Sequence, residues 1–94
     1  MTYQDHYYRR LGIFGPQLEA IASQICPPLT PDAVQDPETG QWKPYVLAWR
    51  KPKDTDREIE PLNVLVKAGP CNCRRDALDW AEEFIYALVA YGVR

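Results

Sequence analysis

The chain has 94 residues, 46% hydrophobic and 26% charged, a composition that builds one folded domain and excludes a disordered or fibrous polymer. Eleven Lys/Arg against thirteen Asp/Glu give a net charge of −2 and a pI near 5.3, without the basic excess of a nonspecific phosphate-backbone binder. No apolar run approaches the roughly 18 residues needed to span a bilayer, and the opening MTYQDHYYRRLGIF lacks a basic-then-apolar leader.

In chain order, Thr2 followed by Asp5 resembles a capping box, and Tyr3, Tyr7, Tyr8 and Leu11 recur at helical spacing. A short helix over 3–11 is the expectation, with Gly12 at its C-terminal end and residues 1–14 as a helix or arm. Gly15-Pro16 then places proline in a first helical turn. Leu18, Ile21, Ala22 and Ile25 follow at i, i+3, i+4 and i+7, which predicts a helix over 16–26 ended by Pro27-Pro28.

Asp36-Pro37-Glu38-Thr39-Gly40 has the composition of a type I turn with a bulge, so a hairpin is expected with a short strand near Ala33–Gln35 before it. After it, Tyr45, Leu47 and Trp49 alternate with Val46, Ala48 and Arg50, a second strand with Pro44 at its start or on an edge. Residues 51–58 are a charged loop. Leu62, Val64 and Val66 then alternate with Asn63, Leu65 and Lys67 in a third strand, stopped by Gly69-Pro70.

A last helix spans about 74–91. Ala77, Ala81, Phe84, Leu88 and Tyr91 share one narrow sector; Leu78, Ile85 and Val89 widen it on one side, Trp80 and Ala87 on the other. The apolar arc reaches about 200°, against the roughly 100° that a surface helix needs. The excess requires cover from another element of this chain or from another chain. The expected fold is a single small two-layer α+β domain over 1–94, in the order α-α-β-β-β-α. An antiparallel meander of two or three strands would have the helices packed on one face.

Cys71-Asn72-Cys73-Arg74-Arg75 opens that helix, where free N–H groups and the positive dipole end gather. Cys73 there is a candidate low-pKa thiol or anion site, joined by Arg74 and Arg75 and, from the N-terminal segment, Arg9 and Arg10. The plainer reading has Asn72 as the helix cap and the cysteines as small packing residues. Redox sensing by Cys71 and Cys73 is a fainter third possibility. Residues 16–91 resemble the double-stranded RNA-binding domain in element order, with Arg74 and Arg75 near that family's lysines. The family's histidine-bearing loop has no counterpart near Gln41–Tyr45, and the final helix turns acidic.

Other chemistry finds little support. His6, Cys26, Cys71 and Cys73 lack the two closely spaced ligand pairs of a structural zinc site, so no metal is expected. With one histidine, no serine elbow and no phosphate-cradling glycine loop, neither a cofactor nor a catalytic residue is expected. Asp54, Asp56, Glu58 and Glu60 are interleaved with Lys51, Lys53 and Arg57, the pattern of a solvated loop. Three cysteines is an odd number for a secreted disulfide framework, so the expected location is the cytoplasm.

The leading expectation is a protein-binding regulator, inhibitor or assembly subunit, not an enzyme, with self-association as a homodimer a natural form. Its contacts would lie at the margins of the last helix, at Trp80, Ala87, Leu78 and Val89. Nucleic-acid or phosphate-ligand binding through Arg9, Arg10, Arg74, Arg75 and the helix start at Cys73 is the alternative.

Overall fold

A computed structural model describes residues 14–51, 60–67 and 70–93. The helix expected over 3–11, Arg9, Arg10, His6 and most of the charged loop lie outside these residues. The architecture is α+β: helical residues 14–21 (α1), strands β1 (Ile25–Gln35), β2 (Trp42–Arg50) and β3 (Pro61–Leu65), and helix α2 (Arg74–Tyr91). The strands form one antiparallel meander in the order β1-β2-β3. Among the described residues, no helix is long and apolar enough to cross a membrane.

The first helix ends earlier than its periodicity suggests. Helical residues stop at 21, a turn follows, and Ile25 opens β1 opposite Arg50. Two local effects outweigh the apolar stripe. Cys26 precedes a proline, which disfavours the α conformation at that residue. Ile25 is β-branched, and it is buried as the first residue of a strand. Ile25 still joins Leu18 in the buried cluster, but from the sheet.

That correction lengthens β1 from three residues to eleven and takes in the Pro27-Pro28 peptide, which is cis. Cys26 faces Trp49 and Thr30 faces Leu47, so Pro27, Pro28 and Leu29 together stand opposite Ala48. The bulge therefore adds two residues. An even insertion restores the side-chain alternation, so Thr30, Asp32 and Val34 fall on the same face as Cys26.

The hairpin turn forms where its composition placed it. Gly40 adopts φ 75°, and its N–H donates to the Asp36 carbonyl at 2.8 Å. The Asp36 N–H donates to the Gln41 carbonyl at 2.8 Å. The Asp36 carboxylate also accepts from the Glu38 N–H at 2.9 Å and lies 3.5 Å from the Lys43 ammonium. The Glu38 hydrogen bond, with help from Lys43, holds that carboxyl below its ordinary range.

Both helices cover one face of the sheet. Phe14, Leu18, Val46, Ala48, Val64, Val66, Ala81, Phe84, Ala87 and Leu88 form one buried cluster. Phe14 locks α1 onto α2, its ring edge-on to Phe84 at 5.1 Å and to Trp80 at 5.9 Å. Burying a side chain such as Phe84 or Leu88 contributes about 1.5–3 kcal/mol. Ala77 and Ala81, both fully buried, let the helix axis approach the sheet closely. α2 ends in a Schellman arrangement: the Gly92 N–H donates to the Val89 carbonyl, and the Val93 N–H donates to Leu88 at 3.0 Å.

Both sheet edges resist further strand pairing. β1 carries Pro27, Pro28 and Pro31, none of which has an N–H to offer. On β3, the Gln17 carboxamide donates to the Leu65 carbonyl and accepts from the Lys67 N–H at 3.1 Å. One side chain of α1 thus occupies the edge positions that an added strand would use.

Candidate interaction surfaces

The start of α2 is built from a short extended segment. The Trp42 N–H donates to the Cys71 carbonyl at 3.0 Å, tying this segment to the first residue of β2. The Cys71 side chain is fully buried there, and burial, with Asp76 and Cys73 nearby, pushes its thiol pKa up. Cys73, two residues on, is exposed.

Cys73, not Asn72, occupies the N-cap position, with φ −145° and ψ 164° and no side-chain cap hydrogen bond. Arg74 and Arg75 are both exposed, and the Arg75 Nε lies 3.4 Å from the Asp79 carboxylate one turn along. Asp76 supplies negative charge to the first turn from within the helix. The cations at this end are thus already accompanied by α2's own acids. Among the described residues, no group of three or more His, Cys, Asp or Glu is placed to hold a metal ion.

The four margin residues of α2 fare differently from one another. Ala87 is 1% exposed and lies inside the chain's own core. Trp80 is half-buried against Phe14, and Leu78 is half-buried. Val89 is 44% exposed, and Tyr86 and Tyr91 are also exposed. Part of the wide apolar arc is therefore covered from within the same chain, with Phe14 of α1 packed on Trp80 and Phe84. Arg9 and Arg10 fall outside the described residues.

A different surface stands out on the far side of the sheet. β2 turns its small residues Val46 and Ala48 toward the helices and its large ones, Tyr45, Leu47 and Trp49, away from them. The register places Cys26, Thr30, Asp32 and Val34 beside these on β1, and Pro61, Asn63 and Leu65 on β3. No described element packs over this outer face. Val34, Leu47 and Leu65 are 48%, 37% and 45% exposed.

Near one end of β2, Cys26, Pro27, Pro28 and Trp49 line a shallow apolar groove of about 410 Å³. Near the other, Val34, Asp36, Lys43 and Tyr45 contribute to a second groove of about 340 Å³. Leu47 is the outward residue of β2 between Tyr45 and Trp49. Sequence reasoning did not single out this face, although the signal was present: β2 is apolar on both sides and so needs two covers.

Comparison of the chain with family models, with characterised proteins and with solved structures finds no match. The likeness to the double-stranded RNA-binding domain therefore stays at the level of element order.

Proposed function

We propose that this chain is a cytoplasmic protein-binding module, a regulator, inhibitor or assembly subunit without catalytic chemistry of its own, and that it binds through the outer face of its sheet. The observation that carries this reading is the group Val34, Tyr45, Leu47, Trp49 and Leu65, large apolar side chains gathered on a face that no described element covers. Soluble monomers rarely expose contiguous apolar patches larger than a few hundred Å². A partner suited to it is a protein offering a flat apolar surface, because the two grooves on this face, at Cys26–Pro27–Pro28–Trp49 and at Val34–Asp36–Lys43–Tyr45, are shallow.

Three further features support the reading. Both strand edges are obstructed, so recognition by strand addition is disfavoured and recognition by the face is not. Cys26, Cys71 and Cys73 are thiols rather than disulfides in this structure, which fits a reducing compartment. The pairing of Arg75 with Asp79 weakens the anion-binding alternative at the start of α2.

The test is capture by the tagged chain from its native lysate, with and without nuclease, using the wild type beside Leu47→Asp. Protein captured by the wild type, resistant to nuclease and lost on substitution is the expected result. Recovery that is indifferent to Leu47→Asp but vanishes with nuclease or with Arg74→Glu/Arg75→Glu would overturn it in favour of anion binding.

A further inference from the structure

The two edges of the sheet are closed by different means. Alternate residues of an antiparallel strand turn their peptide groups toward one neighbour, and those between turn the other way. On β1, the Asp36 N–H donates to the Gln41 carbonyl across the hairpin, so Val34, Asp32 and Thr30 also turn toward β2. Pro31, Ala33 and Gln35 therefore face the open edge. Pro31 has no N–H, and the Ala33 N–H donates to the carboxylate of Asp32 at 2.9 Å. Neither position offers a donor to a further strand.

On β3, the Val66 N–H donates to the Pro44 carbonyl, and the Arg50 N–H donates to the Glu60 carbonyl. Glu60, Leu62, Val64 and Val66 thus turn toward β2, and Pro61, Asn63, Leu65 and Lys67 face the edge. Pro61 again brings no N–H. The Gln17 carboxamide donates to the Leu65 carbonyl and accepts from the Lys67 N–H at 3.1 Å. A residue of an added parallel strand would make the same two bonds, to the neighbours of Val66 on either side. A carboxamide carries the donor and acceptor of a peptide group, so Gln17 stands in for one residue of a strand.

We infer that Asp32 and Gln17 guard the sheet against edge-to-edge pairing between copies of this chain. Each commits a side-chain group to a peptide group that a second copy would otherwise bond. The exposed apolar outer face makes such guards necessary, because an open edge beside apolar residues is a template for sheet assembly. The guards act whether or not that face has a partner, so this inference does not depend on the binding reading above.

The two guards differ in permanence. Asp32 lies next to the group it occupies and stays there while β1 exists. Gln17 reaches β3 from α1, which is held by the buried Phe14 and Leu18. Undocking α1 takes Gln17 with it, so the β3 edge opens with α1 while the β1 edge stays closed.

The experiment compares wild type with Gln17→Ala, Gln17→Glu and the pair Pro31→Val/Asp32→Ala. Val46→Ala, a core change that leaves both guards in place, controls for lost stability. Each variant is first checked for native circular dichroism, and Gln17 is exposed, so its substitution should fold. In dilute solution, hydrogen exchange of the Lys67 amide should quicken about tenfold in Gln17→Ala, the effect of losing one hydrogen bond. Gln17→Glu keeps the acceptor for that amide and should retain its protection. The Ala33 amide should quicken only in the β1 pair.

At submillimolar concentration, Gln17→Ala and the β1 pair should associate in sedimentation velocity and gain the infrared band of intermolecular β-structure. Wild type and Val46→Ala should show no such band. Guard variants that lack the band overturn the inference, as does unchanged Lys67 exchange in Gln17→Ala. So does a Val46→Ala that gains the band as readily, because lost stability and not an opened edge would then be the cause.

Discussion

Trp80 can be read as a contact residue for another chain or as the ring that fastens α1 to α2, and a double-mutant cycle with Phe14 separates the two. The Phe14 and Trp80 centroids are 5.9 Å apart at an interplanar angle of 88°, within the range where edge-on rings attract. Such pairs contribute about 0.5–1.5 kcal/mol beyond the area they bury. Phe14 is 1% exposed, so Phe14→Ala should cost about 3–5 kcal/mol. Trp80 is only half-buried, and Trp80→Ala should cost less, about 2–3 kcal/mol. The double variant should fall short of the sum by about 1 kcal/mol, the coupling assigned to the ring pair. Urea unfolding followed by far-ultraviolet circular dichroism gives all four stabilities, provided the slopes agree. Because the double variant takes a large share of the roughly 5–14 kcal/mol that a domain of this size commands, Phe14→Leu serves as a milder second cycle. A coupling within about 0.3 kcal/mol of zero would mean that the rings do not interact in solution. The docking of α1 on α2 would then be wrong as described.

Other outcomes follow from single groups. Gly92 has φ 121° with open space around its Cα, so Gly92→Ala should lose about 1–2 kcal/mol through backbone strain alone, read as a fall in melting temperature. Asp36 has its carboxyl pKa lowered in the fold, so it stabilises the hairpin above the ordinary value of 3.8, and that contribution is lost as pH falls through the lowered value. The melting-temperature gap between wild type and Asp36→Asn should be present at pH 7 and shrink in acid; a gap independent of pH would refute the assignment. Cys71 has its thiol pKa raised by burial, so the stability it confers is complete below the ordinary value of 9.0 and declines as pH rises above it. Cys71→Ala should therefore flatten the alkaline loss of stability, and a thiol reagent should modify Cys73 before Cys71 in the native protein.

How much of this was legible in the sequence depended on whether local chemistry or tertiary pairing made the decision. The span of α2 was legible because Gly69-Pro70 ends the strand before it and its apolar stripe runs unbroken from Ala77 to Tyr91. The hairpin was legible because Asp36, Pro37 and Gly40 each suit one turn position. The end of α1 was not, since Leu18, Ile21, Ala22 and Ile25 satisfy a helical period while Ile25 is claimed by pairing with Arg50. Nor was the length of β1, because two adjacent prolines read as a stop until a bulge accommodates them outside the ladder. At the helix start, Asn72 had the better capping chemistry, yet the bridge between Trp42 and Cys71 sets where the chain turns and leaves Cys73 in the cap position.

The same reasoning explains why the sheet, and not α2 alone, carries exposed apolar residues. A helix with an arc of about 200° can be covered by a second helix laid along its flank, and Phe14 brings α1 to that position. Phe14, Leu18, Phe84 and Leu88 pack in one cluster with Val46 and Ala48, the small inward residues at the middle of β2. Period-two alternation then forces Tyr45, Leu47 and Trp49 outward as a consequence of the same register. A one-residue slip of β2 would bury those three and expose Val46 and Ala48, but it would drive indole and phenol rings into a layer already filled by phenylalanines. The register that packs the core best is thus the one that leaves the large residues outside. The outer face is a by-product of close packing within the chain, and that chemistry makes it available for a contact between chains.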